Sequence, residues 1–361
     1  MKHVLCLITA GGAGQDALRA RHLAAGLEGE MTFFAIDKSL PCRATGRAIR
    51  SLLRSRPWDL VYQEGTGIAS GLSLIQAARA RPLKYVVSSG DPISGFFHVT
   101  QGPLHGYAFD LYERLLYRHC AGFVGWTPYL TGRALQLGAR RAATVEGGVD
   151  LDLFTPPSPA GRLAARRRFG LAPDHLVCGV VGSLRWTSRQ SYCYGLELVE
   201  VLKRVARPDL SMMIVGDGDG QARLERQVSD GLRGRIVFTG RLPQEDVVQA
   251  MQAMDIGFIT QTLDALGNYR LTTKLPEYLA CGLPVAMSPI PGFYDYAADA
   301  GWALPAAHPA SARFHAECAA WLDGLGHAEV AAKAAQARPI ACRRFDYRAL
   351  GDRFCLFAES L

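Results

Sequence analysis

The side chains best able to do chemistry in this sequence lie in short polar stretches that close apolar runs. Residues 272–288 read TTKLPEYLACGLPVAMS. Leu275, Tyr278 and Leu279 recur at i, i+3, i+4, the apolar stripe of a helix. Cys281-Gly282 stops that helix, because glycine takes the left-handed C′ position without a Cβ clash. Pro284 then leads into a short apolar strand over 285–287. Glu277 sits near the start of this helix. A carboxylate there, opening toward a strand-end crevice, can accept two hydroxyl donors from a diol; on an isolated helix it would simply be solvated. A second stretch, Ala10-Gly11-Gly12-Ala13-Gly14, follows the apolar run 4–9 and precedes a helical pattern from Asp16. Gly12 and Gly14 leave bare amides facing a helix N-terminus, which suits a phosphate or a sugar. A dinucleotide fingerprint would need G-x-G-x-x-G. Here Gly12-Ala13-Gly14 is followed by Ala17, and only Asp37 loosely fills the acidic place, so a nicotinamide oxidoreductase is disfavoured.

Metal chemistry has little to stand on. Gly216-Asp217-Gly218-Asp219-Gly220 is acidic, yet it lacks the spacing and terminal Glu of a calcium loop. The nine cysteines form no C-x-x-C pair and no His/Cys cluster of zinc spacing, so reduced core thiols are expected. The formal charge of +7 admits anionic partners, including nucleotide phosphates and a membrane surface. The Arg runs lack the interleaved aromatics of a nucleic-acid reader. No apolar run approaches the 18 or so residues of a membrane span. The N-terminus has the charge and apolar run of a short signal peptide but no small-residue cleavage site. It reads better as a first strand of a cytoplasmic protein.

Strands and helices alternate along the chain. Strand patterns occupy 4–9, 31–36, 60–63, 85–88, 122–126 and 143–145, with helices between them, including a basic amphipathic helix over 44–55 and another over 109–120. A stiff polar linker, Thr155-Pro156-Pro157-Ser158-Pro159, follows. Past an Arg-rich helix at 162–168, expected to present a solvated face, strands recur at 176–181, 211–215, 256–260 and 285–287. Such alternation implies right-handed βαβ units, parallel sheets and functional loops at the strand C-terminal ends.

The stretch Lys274, Leu275, Glu277, Tyr278, Ala280, Gly282, Pro284, Val285 matches a K-L-x-E-Y-x-A-x-G-x-P-V context. With Gly148-Val149-Asp150 followed by Phe154, it resembles the family 4 glycosyltransferases. The resemblance implies an α/β GT-B fold, two Rossmann-like parallel-sheet lobes facing a central cleft. Residues 1–155 would form the acceptor-side lobe, with the C-terminal helix 345–361 crossing back to it, and residues 160–344 the nucleotide-sugar-binding lobe. It also implies a retaining, metal-independent transfer of a sugar from a nucleoside-diphosphate sugar to a hydroxyl acceptor. A UDP-sugar heads the donors, and no further cofactor is expected. The acceptor could be a bacterial glycan, a lipid-linked intermediate or a small natural product, and peripheral membrane contact is compatible with the charge.

By the same resemblance Glu277 holds the ribose hydroxyls, and Arg185, Arg189 and Lys274 face the donor diphosphate, with Thr273 and Leu275 beside them. Gly216 belongs to the V-G-x-G loop, Arg241 and Leu242 read the base edge through their main chain, and Gly12 and Gly14 approach donor or acceptor. A histidine that relatives present after the 85–88 strand is missing. Asp91 and His98 are both candidates for its place. Tyr194-Gly195 stands where relatives carry Lys-Gly, and Tyr269 where they carry a second Glu. Tyr269 and the missing histidine lend some support to the runner-up, a sugar-nucleotide-binding protein with weak or no turnover.

Overall fold

A computed structural model describes residues 1–12, 14–188 and 191–361. The chain divides into two compact units. The first comprises Met1–Gly148, Tyr269–Thr273 and Phe345–Leu361; the second comprises Val149–Asn268 and Lys274–Arg344.

In the first unit, β1 (His3–Ile8), β2 (Glu30–Ala35), β3 (Leu60–Glu64), β4 (Tyr85–Ser89), β5 (Gly122–Gly125) and β6 (Ala142–Thr144) form one parallel sheet in the order β2-β1-β3-β4-β5-β6. Strand order reverses between β1 and β3, so a crevice opens beyond their carboxyl ends, where Thr9 and Gly65 lie. The central strands are apolar on both faces because helices cover both. Helix Gln15–Ala24 and the C-terminal helix Tyr347–Glu359 pack together, Tyr347 stacking on His22. Their core includes Leu23, Leu350 and Phe354.

In the second unit, β7 (Leu176–Val181), β8 (Leu210–Val215), β9 (Ile236–Gly240), β10 (Ile256–Ile259), β11 (Val285–Met287) and β12 (Gly301–Ala303) give a second six-stranded parallel sheet, β12-β11-β10-β7-β8-β9. Order reverses between β7 and β10. Val180, Met212, Ile214 and Phe258 anchor its core. The nine cysteines are all free thiols. Among the described residues no helix is long and apolar enough to cross a membrane.

Three local readings need correction. The helix expected over 109–120 begins at Pro103 and is preceded by helix Ile93–Gln101. The two are divided at Gly102, whose φ of 106° suits glycine, and Pro103 has the fixed φ of a first helical position. Pro159 belongs to helix Pro159–Arg168 rather than to a linker: the Ser158 hydroxyl accepts from the Gly161 amide at 3.0 Å and caps it. That helix does not present a purely solvated face. Arg162 and Arg166 both bind the Asp255 carboxylate, and Arg166, buried, also donates to the carbonyls of Ala253 and Pro173.

Candidate functional site

The second unit gathers its polar groups at the carboxyl ends of β7 and β10. The loop after β7 and the glycine loop after β8 lie so close that side chains are excluded. A Cβ on Gly216, whose φ is 133°, would fall 1.8 Å from the Gly182 carbonyl oxygen. The loops are laced by Gly182 N–H to Val215 O at 2.9 Å and Leu184 N–H to Asp217 O at 2.8 Å. Asp219 braces the same turn, its Oδ1 accepting from the Trp186 amide at 2.7 Å, while Arg223 lies 4.0 Å over the Trp186 ring. The acidic glycine loop therefore has a structural use. Among the described residues no three His, Cys, Asp or Glu side chains converge to hold a metal ion.

Glu277 lies in the first turn of helix Lys274–Ala280 and is 7% exposed. Burial pushes its carboxyl up to about 7, against the pull of Lys274. The helix is fixed by its neighbour Tyr278, fully buried, whose hydroxyl accepts from the Val181 amide at 2.8 Å at the end of β7. Gly257 of β10 is bare because the Tyr278 ring fills its place. Lys274 is half-buried, Leu275 is wholly in the core, and Arg185 is exposed in the loop after β7. Leu275 can therefore meet a ligand only through its backbone. Arg189 lies outside the described residues. Arg241 and Leu242 follow Gly240 beyond β9, Arg241 exposed and Leu242 half-buried.

Sequence reasoning missed a second buried carboxylate here. Glu197, fully buried, accepts from Thr260 Oγ1 at 2.9 Å, the Tyr192 hydroxyl at 3.0 Å and the Gly195 amide at 3.1 Å. Burial raises its pKa to about 7 although these hydrogen bonds oppose the shift. Glu197, flanked by Leu196 and Leu198 in the mostly apolar run Leu196–Leu202, was the available signal. Tyr194, in the place of the missing Lys, lies against Gly182, and its hydroxyl accepts from Gln261 Nε2 at 3.1 Å.

The first unit has its own polar cluster at the carboxyl ends of β1, β3 and β4. Glu64, the last residue of β3, is buried. It accepts from Ser88 Oγ at 3.1 Å and from the Tyr62 hydroxyl, with Arg19 Nε at 3.4 Å. Burial raises the Glu64 pKa against the attraction of Arg19. Arg19 is itself buried; it donates to the Val145 carbonyl at 2.7 Å and to that of Glu146, and lies 4.7 Å over the Trp126 ring. Asp16, half-buried, also has a raised pKa, chiefly from desolvation. Its Oδ2 is 3.8 Å from where a Cβ on Gly65 would sit. Gly12 is exposed beside Ala35, and Gly14, with φ 126°, precedes helix Gln15–Ala24.

Asp91 follows β4 and is held by Arg270, Nε to Oδ1 at 2.6 Å and Nη2 to Oδ2 at 3.3 Å. His98 does not join this cluster. It lies late in helix Ile93–Gln101, exposed to solvent and seated against Gly106. Tyr269 accepts from Thr127 Oγ1 at 2.8 Å through its carbonyl, and its ring lies 5.8 Å beneath the Arg133 guanidinium. Thr273 is half-buried at the end of the same segment.

Residues 175–322 match the family model described as Glycosyl transferases group 1. The chain is 31% identical over 188 residues to a 2-deoxystreptamine glucosyltransferase of Streptomyces kanamyceticus, covering 51% of this chain and 46% of that protein. It is 27% identical over 265 residues to a GDP-mannose-dependent monoacylated alpha-(1-6)-phosphatidylinositol monomannoside mannosyltransferase of Corynebacterium glutamicum, covering 68% and 62%. The chain thus spans less than two thirds of these curated relatives. Among solved structures, it is similar to Anabaena HepE in complex with UDP and glucose (TM-score 0.75, 18% identity, all of both chains). It is also similar to sucrose-phosphate synthase from Thermosynechococcus elongatus (TM-score 0.76, 16% identity, 99% of both chains). With its two six-stranded parallel sheets, the fold is GT-B.

Proposed function

We propose that the protein is a retaining glycosyltransferase that moves a sugar from a nucleoside-diphosphate sugar, a UDP-sugar first among the candidates, to a hydroxyl acceptor. The observation that carries this reading is Glu277. It is a buried carboxylate whose pKa burial raises to about 7, on the helix that Tyr278 ties to the end of β7, inside the span matched as Glycosyl transferases group 1. Ionised, it can accept both hydroxyls of a ribose. Arg185, Arg189 and Lys274 would supply the positive charge that a diphosphate needs. In the reaction the bond between the anomeric carbon and the diphosphate oxygen breaks and a bond to the acceptor oxygen forms on the same face. The acceptor proton leaves with the diphosphate. Of the two candidates for the missing histidine, this reading takes Asp91 over His98, because Asp91 follows a strand end of the first unit and Arg270 holds its carboxylate.

Thermal shift with UDP, GDP and ADP tests donor binding, since a ligand at 100 times its Kd adds about 2.7 kcal/mol of apparent stability. Release of free sugar or its transfer from the bound donor, undiminished in excess chelator, is the expected activity. No shift with any nucleotide would overturn the reading. A shift without any hydrolysis or transfer would leave a sugar-nucleotide-binding protein.

A further inference from the structure

The outer helical layer of the first unit carries a surface that the polar clusters do not use. Helix Cys42–Ser55 places Arg43, Arg47, Arg50 and Arg54 at i, i+4, i+7 and i+11, one stripe of an α-helix. Between Lys38 and Trp58 the sequence has no acidic residue. Among the described residues none of the four meets a carboxylate. Elsewhere the chain pairs its arginines readily: Arg162, Arg166, Arg168 and Arg207 each bind an aspartate. The stripe is therefore an uncompensated concentration of positive charge. Arg50 and Arg54 border a groove of about 260 Å³ against the neighbouring helix Ile68–Ala80, and Arg50 reaches Ser73 Oγ at 3.5 Å.

That neighbouring helix exposes Ile68 and Leu72, and the Tyr112 hydroxyl donates to the Gly67 carbonyl at 2.8 Å, joining it to helix Pro103–His119. There Leu104, Tyr107 and Leu111, at i, i+3 and i+7, are 83%, 75% and 61% exposed. Apolar side chains so exposed and so spaced are an unpartnered face, unlike scattered single residues. Ile68, Leu72, Leu104 and Tyr107 lie in the first two turns of their helices and Leu111 at mid-helix. Helix Ile68–Ala80 follows the carboxyl end of β3, the edge that holds Asp16, Glu64 and Asp91, while helix Pro103–His119 follows helix Ile93–Gln101, which itself begins after β4.

We infer that this layer docks the protein on an anionic lipid bilayer. The arginine stripe meets headgroup phosphates, while Leu104, Tyr107 and Leu111 enter the interfacial region. A nucleic acid would leave the apolar stripe uncovered, and a second copy related by a two-fold axis would bring like-charged stripes together. Resting on the glycosyltransferase reading, the acceptor hydroxyl then belongs to a membrane-borne molecule presented at the strand ends of the first unit.

The test is flotation of the full chain with vesicles of phosphatidylcholine alone and with one third phosphatidylglycerol, without nucleotide. Binding to the anionic vesicles only, weakened by salt, is expected. The triple variant Arg43→Gln, Arg47→Gln, Arg54→Gln changes exposed side chains and should bind about a hundredfold more weakly, roughly fivefold per arginine. Leu104→Ser with Leu111→Ser should also release the protein, while the UDP-induced thermal shift of both variants stays at the wild-type value. Equal binding to both vesicle types, no binding to either, binding indifferent to the substitutions, or a dimer that the leucine variant dissolves would each overturn the inference. Because vesicle binding is read without nucleotide, its failure leaves the donor-binding result standing, and the reverse holds as well.

Discussion

Replacing Glu277 with Gln should stabilise the free protein and weaken its hold on donor at the same time. Burial raises the Glu277 carboxyl from an ordinary 4.5 to about 7. In that interval the folded protein binds more protons than the unfolded chain, so stability is greatest below pH 4.5 and falls as pH rises toward 7. The full shift corresponds to roughly 3 kcal/mol, an upper bound for a carboxylate ionised in place. Glu277→Gln keeps the shape and removes the titration. Its melting temperature should match wild type near pH 4.5 and exceed it at pH 8. Nucleotide affinity should move the other way. A ribose diol loses two charge-assisted hydrogen bonds and keeps two neutral ones, a difference of roughly 2 kcal/mol, or about thirtyfold in Kd. Wild-type affinity for UDP should also rise between pH 6 and 8 as Glu277 ionises, and the variant's should stay flat. Calorimetric titration with UDP and paired melts across pH measure all three effects. A melting gap independent of pH would show that Glu277 does not titrate as a buried acid, and an unchanged Kd would show that it does not meet the ribose.

Other substitutions test the supporting structure. Gly216→Ala would put a Cβ 1.8 Å from the Gly182 carbonyl oxygen at a backbone φ of 133°; we expect a loss of about 3 kcal/mol or more in urea unfolding and no UDP-induced shift. Tyr192→Phe leaves Glu197 with its Thr260 and Gly195 partners and should cost about 1–2 kcal/mol in the same assay. Tyr269→Phe keeps both the carbonyl contact to Thr127 and the ring beneath Arg133. Its stability should change by less than about 1 kcal/mol, and a complete loss of sugar transfer would give the Tyr269 hydroxyl a direct part in the reaction.

Local pattern determined much of this molecule. Apolar runs and glycine stops locate most of the strands to within a few residues, and β7 and β11 to the residue, because strand burial is written in consecutive positions; β9 is not among them. Thr127-Pro128 announces a helix start through a side chain that caps an amide three residues on; Ser158-Pro159 does the same inside a stretch that reads as linker. The helix break at Gly102 was harder, since it depends on a positive φ inside an aromatic stretch that periodicity alone does not punctuate. Glu277 stands out as a candidate from its context. Its burial does not, because that depends on Tyr278 reaching the end of β7. Only the tertiary structure chose partners among the charges. Arg270 binds Asp91 from 179 residues away, Arg19 reaches Val145 and Glu146 across more than a hundred positions, and Arg166 settles on Asp255. Among the described residues the same choice gave the arginines of helix Cys42–Ser55 no carboxylate partner. Periodicity records which side of an element turns inward, but the partner of a buried charge depends on where strand order brings distant loops together. A linear sequence of this kind holds that information only through the fold.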